Sequence, residues 1–269
     1  MSDVLLAATV TPATFPNAVS LLRAALTERR MSTFKGRGGR HRERCAGCRL
    51  VPSHCLCAWR PVQPSRAGFC LIMTEKEVHK PTNTGWLVAD LIADTMAFSW
   101  TRMAVDPALP ALLADPQWQP YVVFPGEFVA PERVLTQLLP ANRNENVEQP
   151  GAVQNGQNKR PLFILLDATW QEARRMFKQS AYLMHIPVLS FTPEQLSRYR
   201  LRDSGRGDHL CTAEVAALCL ELADDNLAAQ TLTAYLDLFS DHYMRAKLQQ
   251  KVDWESELHL RLRELALLA

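Results

Sequence analysis

The sequence predicts an α/β fold with a mainly parallel sheet and helices on both faces. Short apolar runs of strand length alternate along the chain with segments of helical period, which is typical of βαβ units. The chain has 269 residues, 47% of them hydrophobic and 22% charged, with 11 Gly and 17 Pro. This composition is typical of a globular protein and excludes a collagenous, coiled-coil or wholly disordered chain. A chain of this length can bury a large core without a metal ion or a disulfide.

Periodicity and capping signals place the individual elements. Five apolar runs are predicted to form strands, at residues 68–73, 95–100, 121–124, 162–167 and 186–191. Seven segments are predicted to form helices, at residues 18–30, 84–93, 131–138, 170–178, 212–223, 228–251 and 255–268. Strands and helices alternate from about residue 66 onward, which favours parallel strand pairing.

Composition divides the chain into three parts and one insertion. Residues 1–40 are predicted to form a basic, flexible arm, 41–62 a zinc knuckle module, and 63–269 the α/β domain. Within 28–44 there are seven Lys or Arg and two acidic residues, although the net charge of the whole chain is only +2. Such an arm either is simply solvated or binds phosphates. Residues 141–159 are rich in Asn, Gln and Gly and are predicted to be a flexible loop inserted before a core strand.

The sequence also bears on membrane association and compartment. No apolar run approaches the length of about 18 residues that a transmembrane helix needs, so a membrane-spanning protein is excluded. The chain begins Met-Ser-Asp, without a positively charged segment before its first apolar run, which argues against a secretory signal. Seven unevenly spaced cysteines argue against a secreted disulfide framework. We therefore expect a cytoplasmic protein.

Four cysteines form a cluster with the spacing of a zinc site. Cys45, Cys48, Cys55 and Cys57 have the pattern C-x2-C-x6-C-x-C. A C-x2-C knuckle lets two thiolates reach one ion, and the six-residue loop can return the second pair, so that protein fills all four tetrahedral positions. The pattern predicts a structural zinc ion. The alternatives are His54 as a ligand in place of Cys55, a redox pair of the thioredoxin type, or four unrelated buried or free thiols.

The most informative segment is the strand-to-helix junction at Asp167. A run of apolar residues ends abruptly at Asp167, and Thr169 with Glu172 three residues later has the form of a capping box that opens a helix. Asp167 is therefore expected at the carboxyl end of a buried parallel strand, where open α/β sheets place their ligands. An ordinary turn or cap residue is the alternative. Two further predicted helices begin in polar segments, at 80–90 and 211–218. If these two helix starts and the one after Asp167 converge, they form a ligand pocket.

These motifs together resemble the DTW-domain family. The D-x-T-W motif lies at 167–170, and the cysteine cluster accompanies it. Further matching segments lie at 80–90, 123–126, 199–202 and 211–214. The resemblance extends from about residue 42 to 251 and is, more narrowly, to the bacterial tRNA-uridine aminocarboxypropyltransferases. The departures are the insertion at 141–159 and the N-terminal arm, which leave the tRNA-facing surface undetermined.

The resemblance implies an activity, a fold and a partner. The activity is transfer of the 3-amino-3-carboxypropyl group of S-adenosylmethionine to N3 of uridine 47 in the variable loop of tRNA, with release of 5′-methylthioadenosine. The implied fold is SPOUT-like and contains a trefoil knot, whose loops, here 123–126, 165–170 and 211–214, hold the cofactor. The implied partner is tRNA.

The candidate site residues fall into three groups. The catalytic residues are Asp167, Thr169 and Trp170. The cofactor-binding residues are Phe124, Pro125, Gly126, Leu165, Leu166, Asp167, Trp170, Thr212, Ala213 and Glu214. The RNA-binding candidates are the nearby cations Arg174, Arg175, Lys178, Arg200 and Arg202. Asp167 would accept the N3 proton or hold the ammonium of the transferring group, and Trp170, Leu165 and Leu166 would pack on the adenosine and methyl side.

Other functions fit the same residues. An S-adenosylmethionine-dependent RNA methyltransferase would use the same pocket. A non-catalytic zinc-ribbon RNA-binding protein would use the cysteine cluster and the basic arm, and would bind tRNA without the cofactor. A thiol oxidoreductase would require Cys45 and Cys48 to be free of metal. The sequence predicts neither an oligomeric state nor a tRNA species.

Overall fold

One six-stranded sheet lies at the centre of the structure. The computed structural model describes residues 16–30, 43–139, 159–191 and 210–268. Its strands are β1 (Gly68–Met73), β2 (Thr95–Ser99), β3 (Trp118–Val123), β4 (Val134–Leu135), β5 (Arg160–Asp167) and β6 (Val188–Leu189). They pair in the order β2-β1-β5-β3-β6-β4, and every pair is parallel. The predicted α/β fold with a mainly parallel sheet is confirmed.

Helices cover both faces of the sheet, as the sequence predicts. The described helices are α1 (Ala18–Arg30), α2 (Glu75–His79), α3 (Gly85–Leu91), α4 (Ala108–Ala114), α5 (Trp170–Gln179), α6 (Thr212–Leu222), α7 (Asn226–Lys247) and α8 (Glu257–Leu267). A first hydrophobic cluster joins one face to α1, α3, α6, α7 and α8, and a second joins the other face to α4 and α5. Within the described ranges, no helix combines the length and apolar character needed to cross a membrane.

The central strands β1 and β5 contribute side chains to both clusters. Phe69 and Phe163 lie in the first cluster with ring centroids 5.6 Å apart, whereas Cys70 and Ile164 lie in the second. Because successive side chains of a strand point to opposite faces, a strand covered on both faces is apolar at nearly every position. This explains why all six residues of β1 are buried and why its sequence is a continuous apolar run.

The register of the sheet places Asp167 at its carboxyl edge. Met73, the last residue of β1, pairs with Asp167, the last residue of β5. The N–H of Thr74 then donates to the carbonyl oxygen of Asp167 at 3.2 Å. The side chain of Asp167 belongs to the face of the first cluster because it lies two residues after Leu165. Asp167 thus ends a buried parallel strand, as expected.

The helix predicted at residues 131–138 is wrong. This segment forms one 3-10 turn, Pro131–Arg133, followed by the short strand β4. Proline suits the first position of a helical turn, which explains the start. The turn does not continue because Val134 and Leu135 pair with β6 at the edge of the sheet. Periodicity also does not predict α2 and α4, which contain only five and seven residues.

The cysteine segment packs against the same core as the sheet. Leu50 and Leu56 are fully buried members of the first cluster. The buried ring of His54 has its Nε2 2.9 Å from the carbonyl oxygen of Gln250, just beyond α7. The carbonyl oxygen of His54 lies 3.0 Å from Nδ1 of His242 in α7. The segment is therefore held on α7 by both apolar and polar contacts.

A buried carboxylate connects α1, α3, α7 and the cysteine segment. Asp90 in α3 accepts hydrogen bonds from Nδ2 of Asn17 at 2.5 Å and from the hydroxyl of Tyr235 at 3.0 Å. Nε of Arg60 lies 3.2 Å from the same carboxylate. Burial raises the pKa of Asp90 to about 6, against the opposing effect of the Arg60 guanidinium. Since the folded state binds this proton more tightly than the unfolded chain, ionisation of Asp90 lowers stability as the pH rises through the interval from 3.8 to about 6.

Replacing Arg60 with methionine should strongly destabilise the protein at neutral pH. The Arg60→Met variant leaves Asp90 buried without its cation, so that its carboxyl group either stays ionised there or takes up a proton, and we expect a loss of about 3–5 kcal/mol in the free energy of unfolding. The loss should shrink toward about pH 5, because a neutral carboxyl group needs no cation. Urea unfolding of the purified protein at both pH values measures the effect.

Two further variants control this experiment. Adding Asp90→Asn to Arg60→Met should recover part of the loss, since it removes the charge but keeps an acceptor for Tyr235. Arg261→Met removes the exposed cation of an ion pair with the half-buried Asp237, 3.7 Å long, and should cost less than about 1 kcal/mol. A loss in Arg60→Met no larger than that in Arg261→Met would show that the buried pair is unimportant.

Candidate functional site

The carboxylate of Asp167 is buried at the carboxyl edge of the sheet and bound by Asn83. Asp167 is only 1% exposed, and Nδ2 of Asn83 donates to its Oδ2 at 2.8 Å. Oδ1 of Asn83 accepts a hydrogen bond from the N–H of Gly85 at 3.0 Å. The N–H of Asn83 donates to the carbonyl oxygen of Lys80 at 3.1 Å. Asn83 therefore fixes the Asp167 carboxylate against the turn that precedes α3.

Gly85, the first residue of α3, allows the carboxylate to come this close. A Cβ atom at this position would lie 2.5 Å from Oδ2 of Asp167 and 3.3 Å from Oδ1 of Asn83. A separation of 2.5 Å is too short for a carbon and an oxygen that are not bonded. Glycine is thus required here as long as Asp167 keeps its position.

The start of α6 reaches the same place. Oγ1 of the buried Thr84 accepts a hydrogen bond from the N–H of Ala213 at 3.3 Å. Oε2 of Glu214 accepts one from the N–H of Cys211 at 2.8 Å, as part of a capping box. Burial raises the pKa of the Cys211 thiol to about 12, so this cysteine is no thiolate nucleophile at neutral pH. The three polar helix starts found in the sequence converge at this edge.

Thr169 and Glu172 form the capping box predicted for the start of α5. Oε2 of Glu172 accepts hydrogen bonds from the hydroxyl of Thr169 at 2.7 Å and from its N–H at 3.2 Å. The hydroxyl bond is the main cause that lowers the pKa of Glu172, and the nearby charges of Lys76 and Lys80 contribute in the same direction. The contacts of Thr169 are therefore those of a helix cap that shapes the turn after Asp167.

An aromatic cluster lies at the same edge but on the other face of the sheet. Trp170 stacks on Phe124 with ring centroids 5.5 Å apart, and Phe124 stacks on Phe177 at 4.4 Å. Phe128 lies 5.3 Å from Trp170, and the guanidinium of Arg174 lies 4.5 Å from the centroid of the Phe128 ring. Trp170 and Phe128 are half-buried, so this surface combines accessible rings with a positive charge.

The structure divides the predicted cofactor-binding residues between the two faces. Leu165 and Ala213 belong to the first cluster, and the side chain of Asp167 is on the same face of the sheet. Those that pack into the second cluster are Phe124, Leu166 and Trp170. Thr212 and Glu214 lie in the first turn of α6, and Pro125 is exposed in the loop after β3. Gly126 in that loop donates its N–H to Oγ of Ser190 at 2.8 Å.

Several predictions concern residues that the structure does not describe. Of the RNA-binding candidates, Arg175 and Lys178 are exposed on α5 and Arg174 is half-buried, whereas Arg200 and Arg202 lie outside the described residues. Most of the basic arm and of the insertion also lies outside them. A trefoil knot would depend on the connection from β6 to α6, and residues 192–209 of that connection also lie outside the described residues. The knot and the boundaries of the three parts stay predictions.

Asn83, Thr84 and Gly85 lie in the polar helix start at 80–90 that the sequence places at the pocket, but the sequence does not assign any of the three as a site residue. Their contacts to Asp167 and Ala213 join segments far apart in the chain. The signal that points to them is the polar run immediately before an apolar helix. A glycine at the first position of that helix is a second signal, because glycine is a poor helix former and indicates a close approach.

The four clustered cysteines could hold a metal ion. The Sγ atoms of Cys45, Cys48, Cys55 and Cys57 all lie within 4.8 Å of one another. Cys45 and Cys57 are 3.5 Å apart, and Cys48 and Cys55 are 3.6 Å apart. Four sulfurs bound to Zn²⁺ at about 2.3 Å lie roughly 3.8 Å from each other, so little rearrangement is needed to hold zinc.

The surroundings favour ligation by sulfur alone. Nη2 of Arg60 lies 3.7 Å from Sγ of Cys57. The hydrogen bond from Cys48 is the main cause that lowers the pKa of Cys57, and the guanidinium of Arg60 acts in the same direction. His54 points its ring nitrogens to Gln250 and Ser53 instead. The four sulfurs, without His54, form the cluster.

The fold and the site define an all-parallel α/β protein with a possible four-cysteine zinc centre and a buried carboxylate at the carboxyl edge of its sheet. The family model for the DTW domain matches residues 42–244, which include the cysteine cluster, all six strands and the D-x-T-W motif. The chain belongs to the DTW domain family, a domain known from tRNA modification. No solved structure matches the chain.

Exchanging Gly85 for alanine should displace the Asp167 carboxylate. The added methyl group would lie 2.5 Å from Oδ2 of Asp167. We expect Gly85→Ala to lower the free energy of unfolding by about 1–3 kcal/mol, although alanine favours a helix by about 1 kcal/mol over glycine. In an Asp167→Ala background the clash is absent, and the same exchange should be neutral or stabilising. Equal losses in both backgrounds, measured by urea unfolding, would contradict the described contact.

The purified protein should contain about one zinc ion per chain. The variant Cys48→Ser/Cys57→Ser should lose the metal and a large part of its thermal stability, because ion binding contributes directly to folding. The matched control is Cys70→Ala, which alters a buried cysteine of the second cluster and should keep the metal. Elemental mass spectrometry gives the stoichiometry. Wild-type protein that is stable without metal, or a double variant that keeps a full equivalent, would contradict a structural zinc site.

Proposed function

We propose that this protein transfers the 3-amino-3-carboxypropyl group of S-adenosylmethionine to N3 of a tRNA uridine, namely uridine 47 in the variable loop. The observation that carries the proposal is the buried Asp167 carboxylate of the D-x-T-W motif, held where three helix starts converge. This edge is where parallel α/β proteins bind ligands. Membership of the DTW domain family supports tRNA as the acceptor.

The proposed reaction is a nucleophilic displacement at carbon. A bond forms between N3 of the uridine and the terminal methylene carbon of the transferred group, and the bond from that carbon to sulfur breaks. The sulfur keeps the electron pair and leaves as the neutral thioether 5′-methylthioadenosine, while the N3 proton goes to a base. Because the leaving group is neutral, it needs no acid, and the protein contributes positioning and removal of the proton.

Asp167 is the residue we assign to this chemistry. Its carboxylate either accepts the N3 proton or binds the ammonium of the transferred group. Asn83 orients the carboxylate through the 2.8 Å bond to Oδ2, and Gly85 leaves room for it. Thr169, which caps α5 with Glu172, shapes the backbone turn that follows. A carboxylate positioned in this way has the fixed geometry that proton transfer or ion pairing requires.

The aromatic cluster is the surface we assign to the adenosine. Trp170 and Phe128 offer half-buried ring faces on the second face of the sheet, at the same edge as Asp167. Stacking of bases on aromatic rings contributes about 1–3 kcal/mol per base. The exposed cations Arg175 and Lys178, together with Arg174, supply phosphate contacts for tRNA, and binding should weaken as salt is raised.

Incubation of the purified protein with S-adenosylmethionine and unmodified tRNA tests the proposal. Mass spectrometry should detect aminocarboxypropyluridine and 5′-methylthioadenosine. Asp167→Asn should reduce single-turnover transfer by at least about 100-fold, the lower range for a positioned acid or base. Asp94→Asn is the matched control, since Asp94 forms an exposed ion pair with Arg160 and should keep full activity.

The other outcomes contradict the proposal in distinguishable ways. A methylated nucleoside with S-adenosylhomocysteine would identify a methyltransferase instead. Binding of tRNA without any product would favour the non-catalytic RNA-binding protein. Full activity of Asp167→Asn would exclude both roles assigned to Asp167.

A further inference from the structure

Lys80 lies next to the Asp167 site with part of its hydrogen-bonding capacity still available. Its Nζ donates to Oε1 of Glu77 at 2.5 Å, and Glu77 is only 1% exposed. The side chain of Lys80 is 41% exposed, so the ammonium lies at the boundary between the protein and solvent. A lysine ammonium has three N–H donors, and the bond to Glu77 uses one of them.

The backbone fixes Lys80 close to Asp167. The carbonyl oxygen of Lys80 accepts the hydrogen bond from the N–H of Asn83 at 3.1 Å, and the side chain of Asn83 binds Asp167. One tight turn thus separates the lysine from the residue that orients the carboxylate. Lys80 and Lys76 also act electrostatically on Glu172 in the first turn of α5. The lysine therefore belongs to the same edge of the sheet as Asp167, Asn83 and Glu172.

Charges of both signs meet at this edge. Asp167, Glu77 and Glu172 supply carboxylates, and Lys76 and Lys80 supply ammonium groups. The aminocarboxypropyl group is a zwitterion, with one ammonium and one carboxylate on the same carbon. A carboxylate is bound best by a fixed cation that donates hydrogen bonds to it.

We propose that Lys80 binds the carboxylate of the aminocarboxypropyl group, an inference that rests on the proposed function. The residue is a specificity-determining contact, because it distinguishes S-adenosylmethionine from a decarboxylated compound that is otherwise the same. Glu77 keeps the ammonium at the edge of the site and away from Asp167. Lys76, which is exposed, contributes to the local field without this contact.

A decarboxylated co-substrate tests the contact directly. S-adenosyl-3-methylthiopropylamine keeps the adenosine, the sulfonium and the ammonium but lacks the carboxylate. Isothermal calorimetry compares its affinity with that of S-adenosylmethionine, for wild-type and variant proteins in their metal-loaded form. Lys80→Met should weaken S-adenosylmethionine about 10- to 100-fold and leave the decarboxylated compound nearly unchanged.

Two control variants separate direct contact from other effects. Lys76→Met removes the same charge from the same region and should weaken both compounds by less than about 3-fold, as expected for a screened field effect. Lys80→Met/Glu77→Gln removes both charges of the ion pair, so that the buried carboxylate of Glu77 does not lose its cation. It should show the same selective loss for S-adenosylmethionine if the single variant loses affinity through contact rather than misfolding.

The outcomes distinguish this inference from the proposed function. Failure of wild-type protein to bind S-adenosylmethionine would overturn the proposed function itself. Tight wild-type binding combined with equal losses for both compounds in Lys80→Met, or with equal effects of Lys76→Met and Lys80→Met on S-adenosylmethionine, would overturn the role of Lys80 alone. Lys80→Arg should retain a large part of the preference for the carboxylated compound, since it keeps the charge.

Discussion

The buried ion pair between Arg60 and Asp90 is the contact on which the remaining arrangement depends. An ion pair in an apolar interior is costly unless further hydrogen bonds satisfy both groups. Asp90 receives them from Asn17 in the segment leading into α1 and from Tyr235 in α7. Arg60 in turn approaches Cys57 of the cysteine cluster at 3.7 Å. Segments that are distant in the sequence are thereby held to one carboxylate. Loss of any one of these contacts would leave the buried charge of Asp90 less well compensated in an apolar interior.

Helix α3 transmits this constraint to the candidate site. All seven of its residues are buried; Asp90 lies near its C-terminal end, and Asn83 lies just before its first residue. Trp86 packs edge-on against Tyr235 and Phe239 of α7, with ring centroids 5.9 Å and 5.3 Å apart. A tightly packed interior transmits displacement rather than absorbing it. A displacement of Arg60 would therefore be transmitted along α3 to the bond between Asn83 and Asp167.

Local signals in the sequence predict local structure well, but they do not reveal which segments meet. The apolar run 68–73 gives β1 with the same bounds, and Thr169 with Glu172 gives the capping box of α5. The bond between Asn83 and Asp167 spans 84 residues, and no local pattern contains it. The segment 131–138 has a helical period, yet pairing with β6 makes part of it a strand. Local patterns also do not predict on which face of the sheet a site residue lies. The direction of the Trp170 side chain, for example, depends on the packing of Phe124 and Phe177.

The side chains at the carboxyl edge of the sheet differ between its two faces. In the proposed reaction this difference bears on whether a methyl or an aminocarboxypropyl group is transferred. Asp167 and the pair of Glu77 with Lys80 form a charged region, whereas Trp170 and Phe128 form an aromatic one. S-adenosylmethionine has a matching division, with a zwitterionic end and a base joined through the sulfonium. In the proposed function this ligand touches both regions, so it would cross the end of β5, with its sulfonium near the turn between Asp167 and Trp170. From that position either the methyl group or the aminocarboxypropyl methylene can face the acceptor. Under the proposed function, a contact that holds the carboxylate end would determine which of them does, so that orientation within the site, more than its composition, would select between methyl and aminocarboxypropyl transfer.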